Sequence, residues 1–525
     1  MPNQKLPTWI KNLKYEAKKY AEHYGLDTDE EVIFEILDFN ELNEIASKGG
    51  FPKRYPHWRF GMEHERLSKS YAYGLQKIYE IVVNTSPCFA YLLESNNPVD
   101  QKIVIAHVYA HLDFFKQNYW FRALKTAKNM LDEMANHGTK VEIIAQKYGE
   151  EEVENWIDVC LSLEDTIDIH ALGIKRNAER AEKIIENEDE NEKAREPLKL
   201  QGKDYKPYMD NFLNPEKEME REREFIKKEK EEAIKIQLGN KIPETPQLDL
   251  LQFLIENTQI EKWKRDILEI IREESYYFAP QGQTKIMNEG WASYWHSTIC
   301  SKRDDFVGPF LTDEEIIDYA DQHSGTLGTS PGRLNPYKLG KELFEYIEFR
   351  WDTGRFGPEW QNCLENGNYE DQKKFDRKLN LGRDKIFEVR KIYNDVGFID
   401  EFLDREFYEK QKLFAYKYNK DRNWYEISSR EFNEIKKNLL FSLTNFGRPF
   451  IYAVDGNYEN RKELYLYHNH TGIDLDLNYA KRVLENMFKI WKKPAHLETK
   501  IEDKIKLFTF DGQIKERDRN VSFSW

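Results

Sequence analysis

The sequence predicts a mainly α protein: a multi-helix body with a charged helical insertion and a small C-terminal α+β domain. Three observations lead there. Apolar residues recur at helical spacing along most of the first 420 residues. Residues 175–240 abandon that pattern for charge, and strand-like runs around a turn stand out near the end of the chain.

Helices are expected from Lys11 to Tyr24, from Glu30 to Ala46 and over Leu67–Val83. Val99–Trp120 reads as a long helix with buried aromatics, with Asp100, just after Pro98, as its N-cap. Helical segments continue through Phe121–Ala135 and Glu142–Gln146. Between Glu216 and Glu232 only Met219, Phe225 and Ile226 are uncharged, and the signs are mixed. A solvated helix laced with i,i+4 pairs is expected there. Periodicity resumes at Leu248–Glu256 and Trp263–Glu273, then runs through Lys285–Cys300 and Pro336–Phe349.

Arg448–Asp455 and Glu463–His468 have strand character, and Asp455–Asn460 supplies turn residues, so a β-hairpin is expected. A helix at Leu477–Trp491 and a strand at Lys504–Phe510 follow. The organisation expected is a first half of the helical body over 1–174 and a charged insertion or linker over 175–240. The second half of the body spans 241–420, and the α+β domain 421–525.

A chain of 525 residues exceeds one compact core. The 30 Tyr, 31 Phe and 12 Trp favour an ordered globule. Acidic residues outnumber basic ones by 94 to 79, and a net charge of -15 repels polyphosphate, so no nucleic-acid partner is expected. Cys88, Cys160, Cys300 and Cys363 lie far apart with no CxxC pair, which suits a reducing compartment. With no apolar leader and no run of about 18 apolar residues, a cytoplasmic protein without a membrane span is expected.

His107-Val-Tyr-Ala-His111 carries the most chemical information. Residues i and i+4 project from one helical face, so both imidazoles can chelate one divalent ion, Zn²⁺ or another. Asn288-Glu289-Gly290-Trp291-Ala292 opens a helix that also carries His296. A carboxylate from a separate helix is what two histidines need to form a His₂Glu site with an open position. Glu289 and His296 are seven residues apart, roughly 10 Å along a helix axis, too far to ligate one ion together easily. Glu289 is therefore assigned to the metal and His296 to substrate contact or support, with the exchange of those roles as the alternative. Two histidines four apart also arise from packing alone.

The string Arg59-Phe-Gly-Met-Glu63-His64-Glu65-Arg66 adds acids and bases. Glu63 or Glu65 is read either as a general base beside the metal or as part of a solvated helix start with internal ion pairs. Gly325–Gly332 is glycine-rich yet lacks the Gly-Lys-Ser/Thr ending of a phosphate loop, so an ordinary connection is expected. His468 and His470 share a strand face, where an exposed hairpin is the default.

The His₂Glu order resembles the gluzincin metallopeptidases, although Val108 stands where their HExxH motif has its general base. The chain as a whole resembles the SpoVR family. The strings that carry the resemblance are Tyr55-Pro-His-Trp-Arg-Phe-Gly-Met-Glu63, Tyr71-Ala-Tyr-Gly-Leu-Gln-Lys-Ile-Tyr-Glu80 and Asn84–Asn96. Ala106–Lys116, Tyr276–Gln281, Met287–His296, Asn335–Gly340, Gly447-Arg-Pro and Asn460–Leu464 extend it. His64 departs from the Tyr expected there. The resemblance implies a link to spore-cortex formation or a stress response, and partnership with a PrkA-like serine kinase and a von Willebrand A-type protein. Two functions stay open on the sequence: a metal-dependent hydrolase acting on an amide or peptide bond, with Glu63 and His296 as its catalytic residues, or a non-enzymatic regulator or scaffold.

Overall fold

The computed structural model describes residues 6–72, 80–124, 129–170, 242–302 and 308–523; the charged segment at 175–240 lies outside them. The architecture is mainly α with a C-terminal α+β region. The chain forms two compact units. The first comprises Met1–Asp165 and Lys262–Arg448, and the second Thr166–Glu261 and Pro449–Trp525.

The first unit opens with α1 (Thr8–His23), β1 (Val32–Leu37), α2 (Phe39–Ser47), α3 (Trp58–Ala72), β2 (Glu80–Val83) and β3 (Cys88–Leu93). Then come α4 (Pro98–Gln117), α5 (Tyr119–Leu124), α6 (Met130–Tyr148) and α7 (Glu150–Leu161). The second unit supplies α8 (Leu250–Asn257). The first resumes with α9 (Lys262–Gln283), α10 (Lys285–Ser301), α11 (Ile316–Thr326), α12 (Pro336–Thr353), α13 (Gly357–Asn366) and α14 (Tyr369–Lys374). It closes with α15 (Gly382–Ile392), α16 (Asp395–Phe402), α17 (Arg405–Gln411), a hairpin β4 (Ala415–Asn419) and β5 (Trp424–Ser429), and α18 (Phe432–Leu443). Residue 420, near the expected domain boundary, falls inside that hairpin.

Helix α4 is the axis of the first unit. It is buried nearly all round from Val99 to Phe115, as a helix enclosed by other elements must be. It packs on α1, α10 and α15 and on the faces of β2 and β3. Its N-cap is Asn97 rather than the expected Asp100: the Asn97 carboxamide oxygen accepts from Asp100 N at 2.7 Å. Pro98 sits at the first helical position, where its missing N–H costs nothing.

Two expected helices are corrected. Over Glu30–Ala46 the chain forms β1 and then α2, because Asp38 accepts from Asn40 N and Glu41 N while Glu41 accepts from Asp38 N. That capping box starts the helix at Phe39, and the β-branched residues before it pair in parallel with β3. Over Leu67–Val83, α3 ends at Ala72, and Glu80–Val83 pairs antiparallel with β3. The resulting sheet has the order β1-β3-β2. One of its faces, through Phe34, Ala90 and Leu92, joins the core around α4 and α10. The other, through Val83, Tyr91 and Leu93, covers Met130, Met134 and Tyr277.

Helix α10 lies against α4 on one side and α12 on the other. The α10–α12 crossing is made by two glycines. A Cβ on Gly290 would collide with the Gly340 backbone, and one on Gly340 with the Ile286 carbonyl. The start of α10 is capped from another helix: the fully buried Asp395 accepts from Ile286 N at 2.8 Å and Met287 N at 2.9 Å.

A buried ionic cluster ties Arg54 to α6 and α9. Arg54 pairs with Glu274, and His137 bridges Glu274 Oε1 at 3.3 Å and Glu273 Oε2 at 3.1 Å. Burial alone would lower the His137 pKa, but the two carboxylates outweigh it and push it up to about 9.

In the second unit β6 (Phe450–Tyr458), β7 (Glu463–Asn469), α19 (Leu477–Trp491), β8 (Ala495–Ile501), β9 (Lys504–Phe510) and β10 (Ile514–Arg519) build a sheet of order β10-β9-β8-β7-β6. The hairpin, helix and strand expected there are present, although β6 continues to Tyr458 and the left-handed turn residues are Glu459, Asn460 and Lys462. Phe253 of α8 stacks on Trp491. His468 is held by Thr499 and His470 by Asp474, so both have local structural partners. Among the described residues no helix is long and apolar enough to cross a membrane, and the four cysteines are unpaired.

Two outcomes follow from the packing. Gly290→Ala is expected to lower stability by at least ~2 kcal/mol in urea unfolding, since neither backbone can yield. Gly61→Ala, in exposed α3 with nothing near its Cβ, should raise stability by ~0.5–1 kcal/mol. The His137 contribution should be fully present below about pH 6.5, its unfolded value, and be lost as pH rises through about 9. Wild type and His137→Gln should therefore differ in midpoint at the acid end of that window and converge at the alkaline end.

Candidate metal centre

The i,i+4 spacing on α4 places the His107 and His111 rings together, with centroids 4.5 Å apart. The α10 helix brings Glu289 against them. Glu289 Oε2 lies 3.5 Å from His107 Nε2 and 3.5 Å from His111 Nε2. One ligand atom from each of the three residues falls within 4.8 Å of the others, and all three residues are buried. Donors about 3–4 Å apart are what an ion ~2 Å from each requires.

The outer nitrogens orient the rings. His111 Nδ1 donates to Asn288 Oδ1 at 2.8 Å. His107 Nδ1 is 2.9 Å from His296 Nδ1, and His296 Nε2 is 3.0 Å from His323 Nδ1 on α11. Two sets of tautomers satisfy the chain: His107 donates to His296 and His296 to His323, or the protons run the other way and His107 Nε2 carries one. In the first set both Nε2 lone pairs face Glu289 Oε2; in the second His107 Nε2 carries a proton toward that oxygen, 3.5 Å away. Two imidazole nitrogens and a carboxylate oxygen within 4.8 Å of one another are a donor set that fits a divalent metal, which would select the first. The outer contacts are those that fix metal-binding imidazoles elsewhere.

The electrostatics agree with that role. Burial first, then the neighbouring His111, lowers the His107 pKa to about 4, so the ring stays neutral and able to ligate. Burial opposes ionisation of Glu289, yet Lys285, His107 and His111 hold its carboxyl well below the usual range. Lys285 Nζ donates to Glu289 Oε1 at 2.6 Å and leaves Oε2 for the imidazoles. Burial, His107 and His323 keep His296 well below the ordinary histidine value.

The structure thus brings together His107, His111, Glu289 and His296, with His296 behind His107. Glu63 is engaged elsewhere, on the solvent side of α3, where Arg66 donates to both of its oxygens at 2.8 and 2.6 Å. Glu65 pairs with Lys69 on the same helix.

Several residues at the site were not singled out in the sequence. Tyr337, just inside α12, stacks on His107 with centroids 6.2 Å apart and donates its hydroxyl to Glu289. Asn288 and Lys285 flank Glu289 on α10, within reach of a helical-wheel argument. His323 had no sequence signal. Behind the ligands, Asp113 accepts from Trp291 Nε1 at 2.8 Å, Arg390 Nη1 at 3.0 Å and Asp27 N at 2.8 Å, tying α4 to α10 and α15.

The family described as SpoVR like protein matches residues 5–448, which include every residue of the centre. The chain is also similar to a protein of Escherichia coli (strain K12) named Uncharacterized protein YcgB, at 30% identity over 519 residues, 93% of this chain and 91% of that protein. No solved structure matches. The chain belongs to the SpoVR family.

Proposed function

We propose that the protein is a metal-dependent hydrolase acting on an amide or peptide bond, with His107, His111 and Glu289 as its metal ligands. The observation that carries the reading is the convergence of two imidazole nitrogens and a carboxylate oxygen within 4.8 Å of one another, each ring held from behind. Three protein ligands leave a fourth position for water or substrate, the arrangement of catalytic rather than structural zinc sites. When bound, the ion supplies Lewis-acid polarisation and a water acidified to a pKa of about 7.

The chain's own residues supply the rest. Asn288 and His296 hold the ligand rings, and Lys285 holds Glu289 ionised. Tyr337 presents a neutral phenol beside the ligands, since burial and then Glu289 raise its pKa; such a hydroxyl can donate to the oxygen that gains charge as a carbonyl is attacked. We further propose, from the family resemblance, that the protein works with a PrkA-like kinase and a von Willebrand A-type protein in a stress or starvation response.

Metal analysis of purified protein tests the reading. Wild type is expected to retain about one divalent ion per chain, and His107→Ala and Glu289→Gln to lose it while keeping their thermal transitions. Glu63→Gln should retain the ion. Wild type without stoichiometric metal would overturn the proposal and leave the regulator or scaffold reading in its place; iron as the resident ion would redirect it toward redox chemistry.

A further inference from the structure

A hydrolase of this kind needs a base, yet Val108 has no basic group and Glu63 is paired with Arg66 on α3. Strand β2 offers one. Its pairing with β3 sets Glu80 opposite Leu92 and Val82 opposite Ala90. Leu92, Ala90 and Val82 all belong to the core around α4 and α10, whereas Ile81 and Val83 point to the other cluster. Alternation along a strand therefore turns the Glu80 side chain toward the helices that carry His107, His111 and Glu289. The carboxyl interacts electrostatically with Glu289, His111 and Lys285, and Tyr337 feels it in turn. Asp100 acts on it as well, so the charged and titratable groups that interact with Glu80 come from α4, α10 and α12.

We infer that Glu80 is the general base of the centre, an assignment that rests on the hydrolase reading above. Its carboxylate takes a proton from the attacking water as the water oxygen bonds to the carbonyl carbon. The C–N bond then breaks, and Glu80 returns that proton to the leaving nitrogen. The water's second proton stays with the carboxylic acid product, so the step needs no further reactant. Tyr337 and Lys285, both beside Glu289, are donors that could serve the carbonyl oxygen.

The signal was present in the sequence only as the last residue of Tyr71–Glu80, a string with no chemistry of its own. Its chemical meaning comes from the strand register.

The test uses the full chain loaded with Co²⁺, whose visible bands report changes in its surroundings without any substrate. Wild type is expected to show a pH-dependent band change with a step that Glu80→Gln deletes and Glu80→Asp restores incompletely. Cobalt stoichiometry and the thermal transition should be the same in all three proteins. A Glu80→Gln profile equal to wild type, including a flat profile in both, would overturn the assignment. Loss of cobalt from Glu80→Gln at an unchanged thermal transition would also overturn it, since Glu80 would then be a ligand. Glu80→Asp guards against a Gln variant that does not fold: an Asp protein with native stability and no acid step overturns the assignment on its own. Failure of wild type to bind cobalt would instead remove the metal reading, a result distinct from any behaviour of the variants.

Discussion

The centre depends on how closely α10 can approach α12. Gly290 lies against Gly340, with backbone where side chains would otherwise stand. This contact sets the depth of α10 and so brings the neighbouring Glu289 within reach of the α4 imidazoles. It also brings the first turn of α12, with Tyr337, over His107. A single methyl group at the crossing would push apart a pair of helices that each contribute to one site. Small residues hold such positions by what they leave out.

Around this crossing the fold keeps several charges in its interior, each with partners. Asp113, itself fully buried, accepts three hydrogen bonds from three other segments. Asp395 caps α10 from a distance in sequence. Buried charges are costly unless paired, and removing one partner leaves the other stranded. Such groups make an arrangement specific: the helices can meet in one register only, because any other would leave an ion without its partner. The ligand cluster follows a different rule. Two imidazole nitrogens, each 3.5 Å from one carboxylate oxygen, converge there, a donor set that suits a cation.

The helical character of the body and the candidate histidine pair were legible because both rest on local geometry. An i,i+4 histidine pair shares a face on any helix, and capping, periodicity and turn residues act within a few positions. Glu30–Ala46 and Leu67–Val83 misled because short strands and helices can carry similar apolar runs, and pairing with β3 decides between them. Asp100 was displaced as the cap by Asn97 because the cap must precede Pro98, which begins the helix.

By itself the sequence determined the mainly α class, the C-terminal hairpin and helix, and the two segments from which the ligands come. Only the tertiary structure decided that Glu289 meets both imidazoles, that His296 stands behind His107, and that Glu63 is occupied by Arg66. It alone turned Glu80 toward the site. The physical reason is range: side-chain spacing along one element is set by its own backbone, whereas the meeting of α4, α10, α12 and β2 is set by close packing among residues hundreds of positions apart.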